Sequence, residues 1–242
     1  MDPHQLIRDD GELFYTVAAA TEPSLGVPSC PEWTVEDLVW HLGRVHWFWA
    51  TDIETGAKSR DQLKPEELPK PERYPELVDW ARSQLHRLLA VLEGTADGSP
   101  AWTWAADPGL HNAGFIRRHQ VQETAVHRWD LQFAAFGHGD PIDAEAASDA
   151  IDEFLSVSLP FDVTPGKPLS GSVHLHCTDV PGEWFVHPDG SVERVHAKGD
   201  VAIRGSASGL LLALYRRIPV ESLDVIGDPS VARQLVEHVD TE

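Results

Sequence analysis

The spacing of apolar residues divides the chain into a long helical stretch followed by an alternating one. Over residues 3–20, Leu6, Leu13, Phe14 and Val17 can share one stripe of a helix, with Ile7 beside Leu6 to widen it. Residues 21–31 read as loop, because Pro23, Gly26, Pro28 and Pro31 break any period. Thr34 followed three residues later by Asp37 predicts a capped helix start, and Leu38, His41, Leu42, Val45 and Trp49 continue at helical spacing. His41 therefore sits on the apolar stripe, where an imidazole needs a partner, whereas His46 falls off it and reads as a surface or flanking residue. A polar, proline-containing connection over 52–75 leads to a third helix over 75–92, with Leu77, Ala81, Leu85, Leu88 and Leu92 on one side. A loop carrying Trp102, Trp104 and Pro108 precedes a fourth helix over 112–136, and its two indoles are expected to pack at the mouth of a cleft.

The pattern then changes. A further helical run covers 143–158, and Pro160, Pro165, Gly166 and Pro168 mark a linker. Residues 172–178 alternate, with Val173, Leu175 and Cys177 pointing one way and His174 and His176 the other. Segments 184–187 and 192–195 flank Pro188-Asp189-Gly190 as a hairpin, and 201–204 reads as another strand. A helix is expected over 206–217, a short strand or turn over 223–226, and a closing helix over 230–238. The fold class is α+β: an N-terminal four-helix bundle, residues 1–160, followed by a smaller C-terminal α+β domain, residues 168–242.

Composition narrows the function. A net charge of −20, spread along the chain, argues against a nucleic-acid partner, which needs a basic face. No apolar run approaches membrane-spanning length, and the polar, acidic N-terminus opens no signal peptide. Cys30 and Cys177 alone make no disulfide framework, so a reducing cytoplasmic setting is the simpler assignment. Of nine tryptophans, all but Trp184 precede residue 130, which predicts an aromatic-rich core or cleft in the N-terminal part.

The helix over 112–136 carries the sharpest chemistry. Glu123 and His127 lie one turn apart on a single face, so a carboxylate oxygen and an imidazole nitrogen can converge without distorting the backbone. His41, on the inner face of a second helix, would complete a trio of ligands. Two neutral imidazoles and one carboxylate suit one divalent metal, Zn²⁺ first, although Fe²⁺, Ni²⁺ and Co²⁺ accept the same set; three protein ligands leave a position open. His119, one turn before Glu123, can act as a fourth ligand, a hydrogen-bond partner to a ligand, or a proton carrier. The strand pair His174 and His176 could also bind metal, but exposed strand faces often carry histidines and no nearby carboxylate completes a site, so surface histidines are expected. Arg216 and Arg217 either complement a helix dipole or clamp a substrate carboxylate, with Arg204 as a second candidate for the clamp. No Gly-rich phosphate loop, serine elbow or dinucleotide fingerprint occurs.

Trp40-His41-Leu42-Gly43, with Glu123-Thr124-Ala125-Val126-His127-Arg128-Trp129-Asp130 much later, resembles the mycothiol-dependent maleylpyruvate isomerase family. The resemblance extends through Gly205-Ser206-Ala207-Ser208-Gly209-Leu210 and Leu214-Tyr215-Arg216-Arg217. It implies a DinB-like bundle in the N-terminal half, a divalent-metal centre on His41, Glu123 and His127, and mycothiol as cosubstrate. It also implies a functional arginine at Arg216 or Arg217. The expected activity is addition of a low-molecular-weight thiol to a small, carboxylate-bearing electrophile. Cis/trans isomerisation or S-transfer would follow, with Trp102, Trp104 and Arg204 as further candidates for binding. The alternatives are a zinc-dependent hydrolase and a non-catalytic, metal-stabilised stress or interaction protein. An open cleft beside the metal favours an enzyme, and a closing fourth ligand such as His119 favours a structural site.

Overall fold

The structure, a computed structural model, describes residues 2–159 and 168–238 and divides the chain into two units, residues 1–140 and 141–242. Of the predicted linker residues, Pro160, Pro165 and Gly166 lie outside the described residues.

In the first unit, helix α1 (Pro3–Ala20) starts where the Asp2 carboxylate accepts the His4 N–H at 3.0 Å. Its buried stripe is Ile7, Gly11, Phe14, Tyr15, Val17 and Ala18, which includes the expected Ile7, Phe14 and Val17; Leu6 is only partly covered and Leu13 is exposed. The stretch read as loop folds into a small antiparallel pair, β1 (Gly26–Val27) and β2 (Cys30–Thr34). A two-residue strand bounded by prolines leaves almost no alternation to detect. Helix α2 (Val35–Thr55) is launched by a reciprocal capping box between Thr34 and Asp37. It packs on α3 (Tyr74–Glu93), which in turn packs on α1. Gly43 permits the first of these contacts: a Cβ there would lie 2.6 Å from the Ala81 Cβ and 2.8 Å from the Trp80 ring. Helix α4 (Ala113–Phe136), capped by the Asn112 side chain and ended by Gly137 at φ 75°, closes the bundle against α1 and α2. The buried Arg128 guanidinium reaches Asp10 at 2.9 Å and Gln132 at 2.8 Å, fixing the rotation of α4 relative to α1.

In the second unit, α5 (Ala144–Glu153) continues into one wide π turn, Phe154–Ser158. Five strands follow in the order β5–β4–β3–β6–β7: β3 (Val173–Cys177), β4 (Glu183–Val186), β5 (Val192–Glu193), β6 (Val201–Gly205) and β7 (Asp224–Gly227). Among the described residues only the β3–β6 pair is parallel. Helix α6 (Ala207–Leu214) packs on α5, β3 and β6, and α7 (Pro229–Glu237) on β3, β6 and β7. The Trp184 indole N–H donates to Asp152 at 3.1 Å, which seats α5 on the sheet face formed by Val173, Leu175 and Trp184. Because α5 packs on α6, the contact boundary falls at residue 140 rather than in the 160–168 linker.

Helix α6 stops at Leu214, three residues short of the expected Arg217. The Arg216 N–H reaches the Ala213 carbonyl and the Arg217 N–H the Leu212 carbonyl, a Schellman turn with Arg216 at φ 58° where glycine is usual.

Candidate metal centre

Helices α2 and α4 together deliver the predicted trio. The Nε2 atom of His41 lies 3.2 Å from Glu123 Oε1, and His127 Nε2 lies 3.4 Å from the same oxygen. The donor atoms of His41, Glu123 and His127 all fall within 4.8 Å of one another. The i,i+4 spacing sets Glu123 and His127 on one face, while the capping box fixes where along α2 the His41 side chain emerges.

Three further residues hold this arrangement, and the sequence reading overlooked their roles. His127 Nδ1–H donates to the fully buried Asp130 at 3.0 Å, which orients the ring and directs Nε2 toward Glu123 as the atom a metal would take. The i,i+3 spacing of His127 and Asp130 was the available signal. The Trp33 ring from β2 lies 4.7 Å from the His41 ring and 6.2 Å from that of His127, centroid to centroid. His46, expected at the surface, is completely buried and hydrogen-bonded to the Tyr15 hydroxyl and the Thr124 hydroxyl, each at 3.3 Å. It ties α2 to α1 and α4, and burial drives its pKa down to about 3, so it stays neutral.

The electrostatics describe a pocket of donors waiting for charge. Burial opposes ionisation of Glu123, yet the neighbouring His127 and His41 hold its carboxyl well below the usual range. For His127, burial works against protonation, but Glu123 and Asp130 override it and raise the pKa to about 9. Burial dominates at His41 and lowers its pKa despite the hydrogen bond to Glu123. A carboxylate, one neutral imidazole and one imidazole whose proton is held only by acidic neighbours form a set that a divalent cation can occupy by displacing that proton.

His119 does not join the trio. Its ring lies 4.5 Å from that of Trp104 and 6.3 Å from that of Trp49, and its Nδ1 is 3.1 Å from the Gln122 amide nitrogen. Trp102 stacks toward Trp49 at 6.4 Å, so both predicted indoles belong to one aromatic cluster with Phe48 and Phe115. Arg204, Arg216 and Arg217 belong to the second unit. Arg204 is exposed and pairs with Asp224 at 3.4 Å, and the Arg217 guanidinium donates to the Tyr215 carbonyl at 2.9 Å.

Comparison with known proteins adds a framework. The sequence matches the models of the mycothiol maleylpyruvate isomerase N-terminal domain over residues 5–132 and of the MDMPI C-terminal domain over residues 144–234. No curated protein matches it significantly. A crystal structure of the mycothiol-dependent maleylpyruvate isomerase is similar with a TM-score of 0.62 and 13% identity, covering 92% of this chain and 91% of that one. A crystal structure of a histidine-to-alanine mutant of that enzyme matches at TM-score 0.57, with 13% identity and the same coverage of 92% and 91%. At this identity the likeness is one of fold. Among the described residues no helix is long and apolar enough to cross a membrane.

Proposed function

The chain belongs to the mycothiol maleylpyruvate isomerase family, and from that premise we propose that it is a mycothiol-dependent metalloenzyme acting on a small electrophile. The observation that carries this reading is the convergence of His41, Glu123 and His127 from two helices, with no fourth His, Cys, Asp or Glu donor within 4.8 Å of all three among the described residues. His41 Nε2, His127 Nε2 and a Glu123 oxygen would hold one divalent metal, for which Zn²⁺ is the best match to the donor set. A cation held there lowers the pKa of a thiol brought beside it and favours the thiolate.

The protein's own groups then do the positioning. Asp130 keeps His127 in one tautomer and orientation, and the bond from His46 to Thr124 keeps α2 and α4 in register. Trp33 packs against the His41 ring and limits its rotation. His119, in its aromatic surroundings, is the proton carrier of this reading, while Trp102 and Trp104 furnish apolar surface for the thiol's carrier. Arg216 or Arg217 binds the electrophile's carboxylate, with Arg204 as the remaining candidate.

For a cis-unsaturated acid, the thiolate sulfur forms a bond to one alkene carbon and the double-bond electrons pass to the conjugated carbonyl. Rotation about the resulting single bond follows. The electrons return, the carbon–sulfur bond breaks, and the thiolate leaves the trans isomer. A transferase would release the adduct instead. A reducing, cytosolic setting is part of the same proposal.

The test is metal titration of the stripped protein, then calorimetry with mycothiol, beside a His127→Ala control. The reading expects mycothiol to bind only when metal and His127 are both present, with turnover of cis-unsaturated acids dependent on thiol. Metal binding without thiol affinity would point to zinc-activated hydrolysis or a structural site, and absence of metal binding would overturn the proposal.

A further inference from the structure

The second unit supplies the strand pair His174 and His176 with the carboxylate that sequence spacing did not show, and with a third imidazole. These two residues share the β3 face opposite Val173, Leu175 and Cys177. Register places Glu183 of β4 directly across from His176, so the carboxylate rises on the same face. His196 comes from the irregular connection between β5 and β6. His176 Nδ1 lies 3.0 Å from Glu183 Oε1, while His174 Nε2 at 3.3 Å and His196 Nδ1 at 2.6 Å both approach Glu183 Oε2. The four donor atoms lie within 4.8 Å of one another.

We propose that His174, His176, Glu183 and His196 form a second zinc site that pins the β5–β6 connection onto the sheet. Three imidazoles directed at one carboxylate are more nitrogen donors than its single charge requires, whereas three imidazoles and a carboxylate complete a tetrahedral zinc shell. Ligands bonded to one tetrahedral Zn²⁺ lie roughly 3.3 Å apart, and two of the three separations from Glu183 already approach that spacing. β3 and β4 are already paired as a ladder, and the connection carrying His196 is held near its ends by Arg194 on Asp152 and by Asp200 on Ser172, so the ion adds a cross-link between the middle of that connection and the sheet face. The cation nearest in register, Arg204 beside His176, is paired with Asp224 on β7. All four protein positions are filled, so the site holds a structural ion.

Equilibrium dialysis of the chelator-stripped full chain against Zn²⁺ alone, with metal counted by elemental mass spectrometry, tests this directly. The expected counts are two ions per wild-type chain, one for His176→Ala/His196→Ala, one for His41→Ala/His127→Ala, and none for the quadruple variant. Loss in the last pair reports on the first centre alone, so either site can fail without the other. His196→Ala by itself changes an exposed side chain on a connection and leaves the fold intact by circular dichroism; it should weaken the second zinc at least tenfold. Amide exchange over residues 194–200 should slow at least tenfold with zinc in the wild type and stay unchanged in that variant. A wild-type count of one that disappears in His41→Ala/His127→Ala, or a second ion indifferent to His176 and His196, would overturn the proposal.

Discussion

The two donor clusters differ in how the backbone presents them. His41, Glu123 and His127 sit on long helices inside a bundle, with Asp130 buried behind one ligand and Trp33 over another. His174, His176, Glu183 and His196 sit on a sheet face, and the last of them is 77% exposed on an irregular connection. The first set offers three donors on stiff supports, the second four donors on supports that the ligand itself would tie together. An open shell on a preorganised scaffold suits binding and turning over a reactant, and a closed shell on loosely joined segments suits stability. Donor types alone, imidazoles around one carboxylate, would have treated the two alike; what holds each donor separates them.

The sharpest way to break this contrast is Glu123→Ala. Its expected effect is loss of metal at the first centre and a fall in thiol-dependent turnover of roughly 100-fold or more, read by dialysis and initial rates, with the second ion retained. Next comes Asp130→Asn, which should weaken metal at the first centre about 10- to 100-fold by releasing the His127 ring; an unchanged affinity would show that the buried carboxylate is not a support. Glu183→Gln should leave thiol-dependent rates alone and lower the melting temperature by about 4 °C, the shift on the order of 1 kcal/mol, only when zinc is present.

A last prediction, confined to one end of the pH range, tests a group of the first unit outside both clusters. Asp52 on α2 is fully buried, neither carboxyl oxygen makes a hydrogen bond of good geometry, and burial raises its pKa to about 7. The Trp102 backbone N–H and the Lys58 charge temper that rise without cancelling it. A carboxyl group with a raised folded-state pKa costs nothing below its unfolded value, costs more as pH rises toward 7, and costs its full amount above that. Asp52→Asn should therefore stabilise the chain by about 2 kcal/mol at pH 8 and hardly at all near pH 4, by denaturant unfolding at both values, with metal counts unchanged.

Much of the first cluster was legible because helical spacing is short-range. Glu123 and His127 declare themselves within five residues, and the Thr34–Asp37 cap places His41 on its stripe. What stayed hidden depends on distant partners. His46 looked peripheral on a helical wheel, yet Tyr15 and Thr124, 31 and 78 residues away, create the pocket that buries it. The second cluster was illegible for a related reason. His174 and His176 were visible as a pair, but their carboxylate needs the β3–β4 register and His196 needs the path of a connection with no period. The helix over 206–217 was drawn too long because arginines continue a helical pattern, whereas the chain turns left-handed at Arg216.

That turn makes an unusually clean experiment available. An L side chain at φ 58° costs on the order of 1 kcal/mol that glycine would not incur. Most arginine truncations confound a missing guanidinium with a weakened protein, and a drop in rate then has two explanations. Here Arg216→Gly relieves the backbone as it removes the side chain, so it should melt higher than Arg216→Ala, which keeps the strained Cβ. A loss of activity common to both variants then follows the guanidinium and not the backbone.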